Sequence, residues 1–519
     1  MTQTAYPAPP RADGDEAAYE ALRQGLHAAK YYDREVCEFL GVEDLGAIVR
    51  IGNSVKAEDT VKDGVSALCH LFLWSRAVRE SDLHQILGKA FVDAALAVGL
   101  IAPYAEYPGT HRALAALYPL ADGVAMGTPR AYWVASDRLA GTEGEREAQP
   151  DDVVFCPMAA TGKAFLDNLP RSRCGRFLEV CAGCGPAALL ATSFAEECIA
   201  SDLAGRSVDF ARFVARLNGC PQMKTHQGAG FDGLNGPFDR IAAHPPYMPV
   251  MGKAEIYYAG GSTGMDITES LVRSLPEMLA PGGIFYAATM LFESADCSAE
   301  ALVRGWLGED EASYDVLIYP MYFHSLLEAA QRVALKACSG YEGMEAAHTF
   351  LAERGFQNAA VGLVAIFRHQ APAPAVNARR RAGDAMDWRH LLWSIETERK
   401  AAADMDGNQG LAATYNVGPT LELTVTHRPS DDGFAASAFR VKTTNPFQIE
   451  TKVDGWMTYL FARADGTKTG RELMESCIED KMILPETPES EFAKLLWTFV
   501  GGAVLESSLC PLPKHGGAA

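Results

Sequence analysis

From Glu16 to about Leu100, apolar residues recur at three- and four-residue spacing in AYEALRQGLHAAKY, DREVCEFLG, VSALCHLFLWSRAV and SDLHQILGKAFVDAALAVGLI. That is the period of helices with one buried face. Ser81 with Asp82 reads as the start of the last of them. The extended run AYWVASDRL follows, so residues 16–150 are expected to form a helical accessory domain with winged-helix character, behind a loose Pro- and Ala-rich segment at 1–15. From Arg176 the pattern changes to short apolar runs alternating with helical stretches: RFLEVCA, AALLATSFA, CIASDL, SVDFARFVARLNG, DRIAAHPPY, ITESLVRSLPEML, GIFYAATML and GLVAIFRH. Such alternation predicts an α/β domain over 151–370 with a mostly parallel, doubly wound sheet. HQAPAPAVN is a linker by composition, with 371–378 as its span, and 379–519 is expected to be a small α+β module.

Composition narrows the function classes. The formal net charge of -20 disfavours a broad grip on nucleic acid, which needs clustered Lys and Arg. The first twenty residues lack the basic and apolar regions of a signal peptide, and no apolar run reaches the ~20 residues that span a bilayer, so a cytoplasmic protein is expected. Cysteines such as Cys37, Cys69, Cys198 and Cys338 sit among apolar neighbours, as buried residues of a reducing compartment do. Cys181 and Cys184 form a Cys-x-x-Cys pair, but no second pair stands at metal spacing, so no metal is expected.

The strongest local chemistry is LEVCAGCGP, Leu178 to Pro186, at the junction of a predicted strand and helix. Glycines at 183 and 185 let the backbone approach a ligand closely. Glu179 stands where a carboxylate can orient a bound cofactor. Asp202, at the end of the next predicted strand, is placed to accept from both hydroxyls of a ribose. Ala188 occupies the third position of a G-x-G-x-x-G turn, which argues against a dehydrogenase.

A second motif follows at the end of the fourth predicted strand: Phe238-Asp239-Arg240-Ile241, then His244-Pro245-Pro246-Tyr247. With PMAAT (157–161), GGSTGMDI and LAPGGIFYA in the same order, the region from about Cys156 to His369 resembles class I S-adenosylmethionine-dependent methyltransferases. It is most similar to the glutamine-N5 and adenine-N6 branch, whose signature is an Asn-Pro-Pro-Tyr-type tetrad. The resemblance implies a Rossmann-like, seven-stranded domain with S-adenosyl-L-methionine as cofactor. It implies Thr161 near the methionine end, and Glu179, Ala182, Gly183 and Gly185 along the methionine and backbone side. Asp202 would hold the ribose and Leu203 the adenine. Cys181 replaces the family's first glycine, a change tolerable with φ negative. Ala229 stands where an Asp commonly meets the adenine amino group, leaving that contact to backbone or to Phe231.

In that family the tetrad accepts the two hydrogens of a planar NH2 and stacks an aromatic ring on it. Here His244 opens the tetrad, with Pro245 and Tyr247 completing the catalytic set and Pro246 on the substrate side. Imidazole supplies one donor and one acceptor and can take up a proton. His244 is therefore either an acceptor or general base, or a brace for the loop. Tyr257 and Tyr258, near Gly260, Gly261 and Gly264, either contact substrate or pack a lid. His226 and His324 are expected to be satisfied structural histidines, and Arg379 to Arg381 a solvated linker end or a site for an acidic group.

The carboxy-terminal DGTKTGREL resembles winged-helix peptide-recognition modules, which implies a peptide-tailoring role with docking by strand addition. Three acceptor classes follow: a protein, peptide or amide-bearing natural product; a small metabolite methylated on O or N with His244 as base; and, at a distance, adenine in nucleic acid. A binding protein that retained the fold without catalysis is a fourth reading.

Overall fold

A computed structural model of the chain describes residues 6–48, 61–121, 131–144, 147–251, 255–336, 340–383, 386–431 and 433–513. Cys338 lies outside them. Two compact units are present: residues 1–295 with 324–359, and residues 296–323 with 360–517.

In the first unit the amino-terminal helices form as their periodicity dictates. Asp15 caps Glu16–Ala28, which buries Tyr19, Leu22 and Leu26 on one face. The long helix expected after Arg79 is two, Glu80–Leu87 and Lys89–Ala97. Gly88 breaks it at φ +83°, and Arg79 rather than Ser81 precedes the first turn. Strands β1 (Val78–Arg79), β2 (Ile101–Pro103) and β3 (Thr110–Ala113) pair antiparallel in the order β1-β3-β2 around these helices. A hairpin, β4 (Ala116–Ala121) with β5 (Ala131–Ser136), follows. The segment expected to be loose is engaged: Pro10 is buried, and the Arg11 N–H donates to the Val98 carbonyl at 2.8 Å.

The rest of this unit centres on five strands: β6 (Cys174–Val180), β7 (Ala195–Asp202), β8 (Met223–Gln227), β9 (Phe238–Ala243) and β10 (Leu279–Ser294). They pair in the order β10-β9-β6-β7-β8, each pairing parallel. Phe177, Leu178, Ile241, Ala242, Phe285 and Ala287 are fully buried, as expected of central parallel strands covered on both faces. Helix Gly205–Leu217 crosses from β7 to β8 and buries Val208, Phe210, Phe213, Val214 and Leu217.

Mostly in the second unit, β11 (Tyr314–Ser325), β12 (Phe356–Arg368) and β13 (Asn377–Arg379) run in the order β13-β11-β12, with β13 parallel to β11. Among the described residues the two units carry five and three of these strands, where seven were expected in one domain. The extra one is β13, supplied by the end of the segment read as a linker, where Val376 donates to Asp315 Oδ1 at 2.8 Å. Arg379 and Arg380 are not solvated: Arg379 pairs with Glu300 at 2.5 Å, and Arg380 pairs with Glu398 and donates to the Gly501 carbonyl at 2.6 Å. The last third holds helices Trp388–Ala403, Gly470–Glu479 and Glu489–Gly501. It also holds two small antiparallel sheets, and a Thr469–Glu472 capping box starts the second helix. Among the described residues no helix is long and apolar enough to cross a membrane.

Candidate active site

The register of three strands assembles the site. Val180, the last residue of β6, pairs with Ser201 on β7 and with Ala243 on β9. The chain therefore leaves all three strands at one level, with neighbouring strands ~5 Å apart. Cys181 and the glycine turn, Asp202, and His244 emerge side by side at the carboxyl edge of the sheet, where parallel α/β sheets bind ligands.

The turn has two glycines with different reasons to be glycine. Both take positive φ, +53° at 183 and +75° at 185. A Cβ at Gly185 would lie 2.4 Å from Met223 Cε and 3.1 Å from Ala200 Cβ, so this glycine permits helix Pro186–Ala191 to pack close to the sheet. A Cβ at Gly183 would meet only Val154 Cγ1, at 3.8 Å, so here the backbone faces open space. Cys181 also sits at positive φ, +53°, so the negative φ on which its replacement of glycine would be free of strain is not met. The left-handed region costs a β-carbon residue ~1–2 kcal/mol. Burial pushes its thiol, like that of Cys184, up from the ordinary range, so neither is a poised nucleophile. Among the described residues no cluster of His, Cys, Asp and Glu could hold a metal ion.

Two carboxylates flank the turn. Glu179 is 2% exposed and accepts from the Ala188 N–H at 2.7 Å; burial pushes its carboxyl up to about 8. Asp202 accepts from the Gly183 N–H at 2.8 Å and the Ala204 N–H at 2.9 Å, and burial raises it as well. Among the described residues no Lys or Arg pairs with either. Backbone groups of Gly183, Ala204 and Leu203 and the Ser207 hydroxyl all turn toward the Asp202 carboxylate and offset part of its rise. Leu203 beside it is 56% exposed. The loop carrying Ala229 and Phe231 is brought to this end by the Gly228 N–H, which donates to the Asp202 carbonyl at 3.0 Å. His226 Nε2 at 2.8 Å from the Asp232 carbonyl braces the same loop, so this histidine is structural.

His244 is half-buried against aromatic rings: Phe165 at 5.6 Å and 45°, and Tyr247 at 6.0 Å and nearly parallel. Burial holds its imidazole down at about 4, so the ring is neutral near pH 7. Neither ring nitrogen is hydrogen-bonded among the described residues. Helix Ala160–Asp167 meets the tetrad along one face: Thr161 receives the Tyr247 hydroxyl at 3.5 Å, and Phe165, one turn on, reaches His244.

The segment after the tetrad folds back on it. Met248 donates to the Tyr258 carbonyl at 3.0 Å, and the Gly260 N–H donates to the Met248 carbonyl at 2.9 Å. A Cβ at Gly260 would stand 2.5 Å from the Gly264 carbonyl oxygen and 2.8 Å from Tyr247 Cα, so only glycine fits there. Tyr257 stacks on Phe155 with centroids 4.9 Å apart and planes 2° from parallel. Phe155 and Phe165 are site residues that the sequence reading missed. The one available signal was Phe165 at helical spacing from Thr161.

No known family profile matches the chain. Among curated proteins, the chain is similar to the release factor glutamine methyltransferase of Deinococcus radiodurans, 30% identical over 156 residues. The match covers 28% of this chain and 56% of that protein, so the chain spans little more than half the length of the relative. Solved structures with a partial likeness include geranyl diphosphate C-methyltransferase from Streptomyces coelicolor A3(2), in complex with S-adenosyl-L-homocysteine. It shows 15% identity and a TM-score of 0.25, over 40% of this chain and 74% of that one. Another is ribosomal protein L11 methylase from Lactobacillus delbrueckii subsp. bulgaricus, with 19% identity and a TM-score of 0.20, over 27% of this chain and 60% of that one.

Proposed function

We propose that the chain is an S-adenosylmethionine-dependent methyltransferase acting on an amine or amide nitrogen of a protein, peptide or natural-product acceptor. The observation that carries this reading is the common level at which Val180, Ser201 and Ala243 end their strands, which sets the glycine turn beside the tetrad. The residues present fit the cofactor. Glu179, buried, and Asp202, half-buried, have no cation between them, which suits a ligand that brings positive charge, since an uncompensated carboxylate away from water is costly. Open space over Gly183 leaves room for it, and Leu203 offers exposed apolar surface beside Asp202.

Bound S-adenosylmethionine supplies an electrophilic methyl group on a sulfonium centre. Glu179 and Gly183 would line its amino-acid end, and Asp202 would accept from the ribose hydroxyls. His244, neutral and with its nitrogens unengaged, accepts a hydrogen from the acceptor N–H and turns the nitrogen lone pair toward the methyl carbon. Methyl transfer from the bound cofactor would leave the acceptor nitrogen with one proton to lose to solvent water, since among the described residues no basic side chain beside the tetrad is placed to keep it. An imidazole held near 4 is a poor proton acceptor at neutral pH, which favours positioning over general-base catalysis. Tyr247, held through Thr161 and nearly parallel to His244, offers a face for a planar group. The partial similarity to a glutamine methyltransferase supports an amide nitrogen.

Calorimetric titration of the intact chain with S-adenosylmethionine and S-adenosylhomocysteine tests the cofactor. Labelled-methyl transfer into size-fractionated lysate tests the acceptor: label in small molecules alone would move the assignment to a metabolite enzyme.

A further inference from the structure

We infer that Tyr6, Asp137 and Arg206 form an outer wall at the nucleotide end of the cofactor site and set how tightly the cofactor is held; this rests on the methyltransferase reading above. Arg206 lies in the first turn of helix Gly205–Leu217, four residues after Asp202. Its guanidinium grips Asp137 with two nitrogens, Nε at 2.8 Å from Oδ2 and Nη2 on Oδ1, with the two side chains 11% and 1% exposed. Nη2 also donates to the Pro7 carbonyl at 2.7 Å, and the Tyr6 ring lies 5.2 Å from the guanidinium carbon.

Asp137 has a second task. Its Oδ2 accepts from the Val154 N–H at 2.8 Å, and its own N–H donates to the Val154 carbonyl at 3.1 Å. Residues 153–156 belong to no strand or helix, so this exchange fixes their course. Val154 is the side chain nearest the open face of Gly183, and Phe155 stacks on Tyr257. One carboxylate thus couples the amino-terminal segment and the first turn after Asp202 to the segment over the glycine turn. Tyr6 and Arg206 act through these neighbours, as positioning residues.

The test is S-adenosylhomocysteine titration of the full chain and of Tyr6→Ala and Tyr6→Phe, with melting temperature and circular dichroism recorded for each. Tyr6→Ala should weaken binding by about tenfold, because the Arg206–Asp137 pair that fixes the Val154 segment loses the ring packed on it. Tyr6→Phe, which keeps the ring, should bind within about twofold of wild type. A folded Tyr6→Ala protein that binds as tightly as wild type overturns the inference. Arg206→Lys gives an independent reading: it keeps the charge but not the two-nitrogen grip, and should also weaken binding. Wild type that fails to bind at all overturns the methyltransferase reading itself, a distinct result.

Discussion

The Phe165 ring lies 5.6 Å from the His244 imidazole, centroid to centroid, and is part of the burial that holds this histidine down at about 4. The pH profile of kcat follows. The active form is the neutral ring, so activity is lost as pH falls through about 4, not near 6.5. Reducing that burial with Phe165→Ala should move the acid limb upward, toward the ordinary histidine value. Steady-state rates at saturating cofactor, between pH 4 and 8, check both.

His244→Ala removes the acceptor and should lower kcat by about 10²-fold or more. His244→Asn, which restores a side-chain carbonyl, should recover much of it. Activity of the alanine variant within a few-fold of wild type would leave the histidine only a brace.

Glu179 makes cofactor affinity pH-dependent. Free, its carboxyl titrates at about 8; a cationic ligand beside it favours the ionised form and drives off a proton. Affinity for S-adenosylmethionine should fall as pH drops below about 8, by at most about tenfold per unit. Calorimetry in buffers of different ionisation enthalpy should show proton release. The stability effect has the opposite sense. The folded value lies above the unfolded one of 4.5, so the folded state binds more protons between them, and stability declines as pH rises from 4.5 to about 8. Glu179→Gln should flatten that decline in thermal melts and abolish the proton release.

Cys181→Gly should raise stability by up to ~1 kcal/mol, because relief of the left-handed strain exceeds the entropy that glycine adds to the unfolded chain. Denaturant titration measures it; a loss of stability would show that thiol packing outweighs backbone strain.

Gly260→Ala should cost ~1–3 kcal/mol and raise KM for the acceptor, since the added methyl collides with backbone atoms at Gly264 and Tyr247. Limited proteolysis between residues 255 and 266, together with KM, reports the effect.

Much of this was legible along the chain. Central strands such as β6 and β9 announce themselves as apolar runs because both their faces are covered. The edge strand Met223–Gln227 does not: MKTHQ is polar, and its pairing with β7 rather than any apolar run defines it. The glycine turn, Asp202 and the tetrad were readable as motifs, and strand register then sets them at one level. The sign of φ at Cys181 was not readable, because residue type alone favours the wrong answer there. Nor were the partners of Arg206, Arg379 and Arg380, whose carboxylates lie between 18 and 79 positions away. Spacing rules describe neighbours on one element, and these ion pairs join different ones.

The position of Asp137 also bears on dissection. A fragment beginning at residue 151 would keep every motif residue yet strip Arg206 of its buried counter-ion. It would also leave Val154 without the carboxylate that receives its N–H. The minimal catalytic piece of this polypeptide therefore starts upstream of its recognisable signature, and homology-guided trimming would cut through its supports.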